Sequence, residues 1–217
     1  MVDPLMQMNV EAVVLSARAV SEQDKRLVLF TRERGRLFAR ASGAFRPGAK
    51  LSAATEPGVR GQFRLWLADG AAGGRVTGGS VLDGHPALRG QWPRLTAALF
   101  LCEWMDRWTP LLHPAPEKFD LLVRALSALE RHDVAVVRAA FLTQFARLAG
   151  YGPVPGVAET DLEDWDFDVP VTGANAPRVG EQVIQFLAPL LDRPLRTLAH
   201  GRALAAFSTK AKAMVFP

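Results

Sequence analysis

The sequence predicts an α+β protein with two domains, a small closed β-barrel followed by an all-α helical domain. Apolar and polar residues alternate over roughly the first eighty positions, which is the period of strands. From Pro86 onward, apolar residues recur every three or four positions, as on one face of a helix. Of the 217 residues, 49% are hydrophobic, which is enough to form a sizeable core. We place the two domains at residues 1–84 and 85–217.

Five short strands are expected in the first domain, at residues 11–20, 26–31, 36–42, 59–68 and 75–82. The second and third strands form a hairpin through a tight turn that ends on Gly35, a residue that adopts positive φ without steric cost. Five short strands with one apolar face each suit a closed barrel that is filled by its own side chains.

Four helical segments are expected in the second domain, at about residues 95–105, from residue 116, at 134–148 and at 180–191. Pro116 is typical of a first helical position and Gly150 of a helix end. The intervening residues 151–178 are rich in Gly, Pro and acids, with six acids and no base between residues 159 and 168. The simpler interpretation of this segment is a solvated loop. The alternative is a segment that competes with nucleic acid for the basic surface, or that occupies a pocket meant for an acidic peptide.

Positive charge is concentrated in one part of the first domain. Residues 25–50 contain eight Lys or Arg residues and a single acid, Glu33, whereas the net charge of the whole chain is only +4. A local basic surface attracts polyanions and gains affinity by releasing their counterions. Because this excess is too large for ion pairing within the segment, phosphate contacts are expected, and nucleic acid is the predicted partner.

Aromatic residues alternate with the cations on two strands. On the third strand Phe38 lies between Arg36 and Arg40, and on the fourth strand Trp66 follows Arg64 on the same face. Such a face suits single-stranded nucleic acid, because cations follow the backbone while rings stack on bases. The alternative for each ring is packing against the helical domain. The candidate nucleic-acid-binding residues are Arg34, Arg36, Phe38, Arg40, Arg46, Lys50, Arg60, Arg64 and Trp66.

No catalytic or metal-binding motif stands out. The only cysteine, Cys102, lies on an apolar helical face, and the four histidines are far apart, form no metal-ligand pair and are interpreted as mostly ordinary surface residues. The chain has neither a P-loop nor a nucleophile elbow. We therefore expect a protein that is not an enzyme and that needs no cofactor or metal. No apolar run reaches the roughly 18 residues of a membrane span, and no secretory signal is evident, so a cytoplasmic protein is expected.

Four segments in a fixed order carry a resemblance to a known family. They are residues 11–15 (EAVVL), 24–31 (DKRLVLFT), 34–37 (RGRL) and 43–47 (GAFRP), with weaker similarity at 141–152 and 191–198. In this order they resemble the RecO family of DNA repair proteins. The resemblance implies an N-terminal OB-fold and a helical domain. It also implies a non-catalytic, nucleoid-associated protein that binds single- and double-stranded DNA and anneals complementary strands.

The resemblance also implies protein partners. Family members act with RecR to load the RecA recombinase on strands coated by the single-stranded DNA-binding protein (SSB), whose acidic C-terminal tail binds the helical domain. By this analogy and by charge, Arg193 and Arg196 are candidates for contacting that tail. Many members carry a four-cysteine zinc module, but here residues 152–177 contain no cysteine, so no zinc is expected there. The alternative function is an RNA-binding or protein-interaction scaffold without annealing activity.

Overall fold

The predicted order of strands followed by helices is confirmed in the computed structural model, which describes residues 5–46, 48–68, 70–157, 167 and 175–198. The strands are β1 (Leu5–Ala19), β2 (Lys25–Thr31), β3 (Gly35–Ala41), β4 (Arg60–Ala68) and β5 (Gly73–Asp83). The helices are α1 (Pro86–Arg89), α2 (Trp92–Trp108), α3 (Pro116–Ala128), α4 (Val134–Leu148) and α5 (Ala176–Leu187). None of the helices within these ranges is long and apolar enough to cross a membrane. The acidic residues 159–166 and 168 and the tail after residue 198 lie outside the described residues.

The five strands close into a barrel in the order β1-β2-β3-β5-β4, which confirms the predicted OB-fold. Of the strand pairs in this barrel, only β3–β5 is parallel. Closure depends on the length of β1, whose first part pairs with β4 and whose last part pairs with β2. A register shift between Val14 and Ser16 bends the strand between these two partners. β1 begins at Leu5 rather than at residue 11, because pairing with β4 brings the earlier residues into the sheet.

The barrel is filled by the alternating apolar positions that the sequence predicts. Leu37 and Ala39 of β3 and Phe63 and Leu65 of β4 are buried inside it. Each neighbouring position on these two strands points outward, so that Arg64 and Trp66 are exposed. Burial of the apolar set therefore determines which face of the sheet carries the cations and the rings.

A second core joins the helices to the outside of the barrel. Trp104, Phe119 and Phe145 are fully buried in the helical domain, and the ring of Phe30 on β2 lies 5.8 Å from that of Phe119. Burying a large apolar side chain stabilises the folded state by about 1.5–3 kcal/mol relative to exposure. The outward face of β1 and β2 around Val13, Leu15 and Phe30 is consequently covered by helices, whereas Arg26, further along β2, stays exposed.

Two ion pairs reinforce this junction. Arg36 of β3 donates through Nη1 to Asp106 Oδ1 of α2 at 2.7 Å, and Arg32 forms a two-pronged pair with Asp120 of α3. The backbone N–H of Leu112 also donates to the carbonyl of Arg36 at 2.9 Å. Arginines from the basic segment thus hold the barrel and the helices together.

One of the four histidines is buried, whereas the sequence interprets most of them as surface residues. His85 lies in the link between β5 and α1, is only 2% exposed, and has a φ of 47°. Its ring faces the carboxylates of Asp83 and Glu130. The sequence conceals this arrangement, because Glu130 follows His85 by 45 positions and approaches it only through the packing of the helices.

Glu103 of α2 anchors the segment that follows α5. Its carboxylate accepts hydrogen bonds from the backbone N–H groups of Arg196 at 2.9 Å and Thr197 at 2.8 Å, and from the Thr197 hydroxyl at 2.8 Å. Desolvation raises the pKa of Glu103, but the hydrogen bonds donated to the carboxylate outweigh that effect and the pKa lies below its ordinary value. The ionised form is therefore the one that the fold stabilises.

We predict that Gly35→Ala destabilises the protein far more than Gly48→Ala, although both glycines have a φ near +70°. Each substitution costs about 1–2 kcal/mol for placing a Cβ in the left-handed region. At Gly35 the new Cβ would also collide with the carbonyl of His113, adding about 1–3 kcal/mol of overpacking, whereas nothing lies within 4 Å of the Cβ at Gly48. Urea unfolding of the two variants measures the difference. Equal losses of stability would show that the approach of residue 113 is unimportant.

We predict that Glu103→Gln lowers the free energy of unfolding at neutral pH by about 1–2 kcal/mol, because the charged acceptor is removed. Since the folded state lowers the pKa of Glu103, its contribution is complete above the pKa of the unfolded chain and disappears as the pH falls through the folded-state pKa. Urea unfolding over a pH series should therefore show the gap between wild type and variant closing on acidification. The exposed Glu22→Gln serves as control, and a gap that does not change with pH would contradict the prediction.

Candidate nucleic-acid interface

Four outward-facing side chains form a row across four adjacent strands of the barrel. Arg26 of β2 is opposite Arg40 of β3, Arg40 is opposite Arg75 of β5, and Arg75 is opposite Trp66 of β4. All four are exposed, Trp66 by 45%. With neighbouring strands about 4.8 Å apart, the row is roughly 14 Å long. It presents three cations and one ring to the same side of the protein.

Phe38 adds a second ring next to this row. It lies two residues before Arg40 on β3, on the same face of the strand, and is half-buried. The guanidinium carbon of Arg26 lies 5.1 Å from the centre of its ring, which is a cation–π distance. Phe38 and Trp66 both line one groove on the barrel rather than packing against the helices. Neither ring therefore packs against the described helices, and their stacking on bases stays a prediction.

The groove that contains both rings has a volume of about 520 Å³ and is also lined by Arg26, Arg40 and Arg75. A second, more open depression of about 630 Å³ shares Arg40 and Arg75 with it and extends past Arg46. The two depressions adjoin at Arg40 and Arg75 and are together called the path; its walls are aromatic at one end and polar at the other, where they include the acids Glu22 and Asp24. Such a path has the chemistry that an unpaired nucleic-acid strand requires.

The cations along this path are held in place by local contacts. Arg40 donates through Nη2 to Asp24 Oδ2 at 2.6 Å, yet its side chain remains 60% exposed. Arg46 donates through Nε to Gln23 Oε1 at 2.8 Å. The backbone N–H of Gly43 and the Arg40 guanidinium hold the pKa of Asp24 below its ordinary value. Asp24 therefore orients Arg40 while it remains ionised.

The nine residues predicted from the sequence do not all lie on this path. Phe38, Arg40, Arg46 and Trp66 line it, and Arg64 lies on the same outward face of β4 as Trp66. The barrel thus brings together five of the candidates, from three segments of the chain. Their role in binding stays a prediction.

The other four predicted residues lie elsewhere on the barrel. Arg34 is half-buried in the β2–β3 turn, and Lys50 is exposed in the connection between β3 and β4. Arg36 belongs to the ion pair at the junction with the helices, and Arg60 Nε pairs with Glu11 Oε1 at 2.6 Å. We therefore assign to Arg36 a structural role, the ion pair with Asp106 that joins the barrel to the helices.

Arg26 and Arg75 belong to the row but are absent from the residues predicted as sites. Arg75 is remote from the basic segment, and only the closure of the barrel inserts β5 between β3 and β4. The sequence does indicate that Arg75 points outward, because it precedes the buried Val76 on the same strand. The strand order of an OB-fold would have placed it beside Arg40.

Fewer cations of residues 25–50 are available at the surface of the folded protein than the sequence indicates. Lys25 is buried against Glu56, with Nζ and Oε1 2.6 Å apart, and Arg32 and Arg36 pair with acids of the helices. The expectation that this segment is too basic to be laced with ion pairs is wrong, because acids outside the segment supply the partners. Of its eight cations, Arg26, Arg40, Arg46 and Lys50 stay exposed, and the first three line the groove or the depression next to it.

Thiolate zinc chemistry does not fit this chain. Cys102 is its only cysteine and is fully buried in the helical core, where desolvation raises the pKa of the thiol to about 12. A four-cysteine cage cannot be built from one inaccessible thiol.

Two family descriptions match consecutive parts of the chain. "Recombination protein O N terminal" matches residues 6–84, which contain the barrel, and "Recombination protein O C terminal" matches residues 89–154, which contain helices α2 to α4. The division between the two matches falls where the strands give way to helices.

Curated relatives show the same similarity. The "DNA repair protein RecO" of Desulforudis audaxviator is 32% identical over 152 residues, which are 70% of this chain and 60% of the relative. That of Pelotomaculum thermopropionicum is 33% identical over 144 residues, 66% of this chain and 56% of the relative. That of Synechococcus elongatus is 36% identical over 119 residues, 55% of this chain and 44% of the relative.

The aligned part of the chain thus spans 44% to 60% of the length of these relatives. The similarity nevertheless covers the barrel with its row of cations and helices α2 to α4, in the order in which the family has them. On these grounds the chain belongs to the RecO family.

Proposed function

We propose that this protein is a non-catalytic mediator of DNA repair and recombination that binds single- and double-stranded DNA and anneals complementary strands. The observation that carries the proposal is the row of Arg26, Arg40, Arg75 and Trp66 across the barrel. The name shared by its relatives, DNA repair protein, supports DNA as the polyanion.

The two ends of the groove suit different parts of a strand. The guanidinium groups of Arg40, Arg46 and Arg75 neutralise phosphates, and Trp66 and Phe38 stack on bases without reading their identity. Annealing requires that two strands of like charge approach one another. A surface that neutralises the phosphates of one strand, while leaving its bases open to a second strand, lowers the repulsion between the two.

Protein partners are proposed from the family. In this view the chain acts with a RecR-like protein and helps to load the RecA recombinase on SSB-coated strands. The acidic tail of SSB would contact Arg193 and Arg196, which are both exposed in the segment after α5. Glu103 accepts hydrogen bonds from the backbone N–H groups of Arg196 and Thr197, which holds this part of the segment against α2.

We predict that Trp66→Ala weakens binding of single-stranded DNA about tenfold or more, because stacking of a base on an aromatic ring contributes roughly 1–3 kcal/mol. Duplex binding should change less, since paired bases are already stacked on each other. Trp92→Ala is the matched control, because Trp92 is exposed by 61% but lies at the start of α2. Fluorescence anisotropy with labelled oligonucleotides measures both affinities. Equal effects of the two substitutions would place the stacking surface elsewhere.

We predict that Arg75→Glu slows annealing of complementary strands, both naked and SSB-coated, and reduces the salt slope of DNA binding by about 1 for each phosphate that is no longer neutralised. The double variant Arg193→Ala/Arg196→Ala should slow annealing of coated strands only, because it leaves the barrel unchanged. The exposed Arg89→Glu on α1 controls for net charge.

The outcome of the annealing experiment separates the proposed roles. Wild-type protein that binds DNA but does not accelerate annealing would contradict the mediator function. Tighter binding of RNA than of DNA of the same sequence would favour the RNA-binding alternative, since RNA recognition exploits the 2′-hydroxyl. An unchanged salt slope in Arg75→Glu would remove the row from the DNA-binding surface.

A further inference from the structure

We propose a binding site for a divalent transition-metal ion at Asp83, His85 and Glu130, where the barrel meets the helical domain. The imidazole Nδ1 of His85 lies 3.3 Å from Asp83 Oδ1 and 3.5 Å from Glu130 Oε2, and one ligand atom from each residue lies within 4.8 Å of the other two. The site is separate from the groove on the barrel and from any thiolate chemistry.

The distances from Nδ1 are compatible with shared coordination. A charge-assisted hydrogen bond between nitrogen and a carboxylate is about 2.7–2.9 Å long, so both contacts of Nδ1 are long for such a bond. Two ligand atoms at about 2.0–2.2 Å from a tetrahedral ion are roughly 3.3–3.6 Å apart. The separations from Nδ1 to both carboxylates lie in this range. An ion between them would take the place of these two long contacts.

Burial and charge also favour an ion at this position. The side chain of His85 is 3% exposed, while those of Asp83 and Glu130 are 35% and 22% exposed. Two half-buried carboxylates face one imidazole, and a divalent ion would balance their charges. The exposed fractions of the two carboxylate side chains make them accessible to an ion from solvent.

The three ligands are held in place by backbone contacts. Asp83 Oδ1 accepts a hydrogen bond from the N–H of His85 at 3.0 Å, and Glu130 Oε1 accepts one from the N–H of Ala87 at 3.2 Å. Glu130 therefore has its other oxygen, Oε2, directed toward the imidazole. Contacts of this kind orient the ligands of metal sites and support their affinity.

The chemistry of the ligands indicates the class of metal. Imidazole suits zinc, copper, iron and nickel, whereas magnesium and calcium prefer sites made of oxygen ligands alone. Three protein ligands leave at least one position for water. Because Asp83 is the last residue of β5 and Glu130 follows α3, a bound ion would tie the end of the barrel to the helical domain.

The test is a zinc titration of the full chain after treatment with a chelator, followed by calorimetry or a competing chromophoric chelator. We expect about one zinc ion per chain, a higher thermal unfolding temperature in the presence of zinc, and the visible absorption of tetrahedral cobalt(II) when cobalt replaces zinc. In Glu130→Gln and Asp83→Asn the affinity should fall at least about tenfold.

Both substitutions keep the size of the side chain and an oxygen that can accept the local backbone hydrogen bond, so the fold is expected to persist without metal. Thermal unfolding of the metal-free variants checks this. His113→Asn, at an exposed histidine, is the matched control and should bind zinc as the wild type does. The proposal is overturned if the wild type binds no zinc, or if Glu130→Gln and Asp83→Asn bind it as tightly as the wild type.

Discussion

Closure of the barrel through β1 is the constraint on which the rest of the structure depends. The strand pairs with β4 along its first part and with β2 along its last part, and the shift near Val14 lets it serve both. Once these edges are joined, β5 has to lie between β3 and β4. The row across the barrel depends on that order at the step from Arg40 to Arg75, since β3 and β5 are not consecutive in the chain, whereas β2–β3 and β4–β5 are.

Closure of the barrel also places the cations of the basic segment, residues 25–50, in two different environments. Outward positions near the β3–β5 pair stay exposed along the groove, whereas Arg32 and Arg36, near the β2–β3 turn, face helices and pair with Asp120 and Asp106. An ion pair between an arginine and a half-buried carboxylate helps to orient the barrel relative to the helices. Removing one partner of such a pair leaves the charge of the other without a counter-charge. The positive field of the protein is therefore more focused than the distribution of Lys and Arg along the chain indicates.

The junction between the barrel and the helices contains both buried apolar side chains and directional polar contacts. Val13, Leu15 and Phe30 supply the apolar contact from the barrel, and the carboxylates around His85 lie where the chain passes from β5 into the helices. Burial of apolar side chains supplies most of the stabilising free energy. It is non-directional, however, and does not by itself specify how two packed elements are oriented. The ion pairs and the His85 cluster are directional, so they specify how the two halves are oriented.

The sequence by itself determined the fold class and the face of each strand, because the alternation of apolar residues reflects burial inside the barrel, a local property. It also identified Phe38, Arg40, Arg46, Arg64 and Trp66, which the structure places along or beside one surface. Only the tertiary structure decided that Arg75 joins them, that Arg36 pairs with Asp106, and that His85 is buried between Asp83 and Glu130. The reason is physical, since these arrangements depend on contacts between residues far apart in the chain, which no local pattern of charge or hydrophobicity encodes.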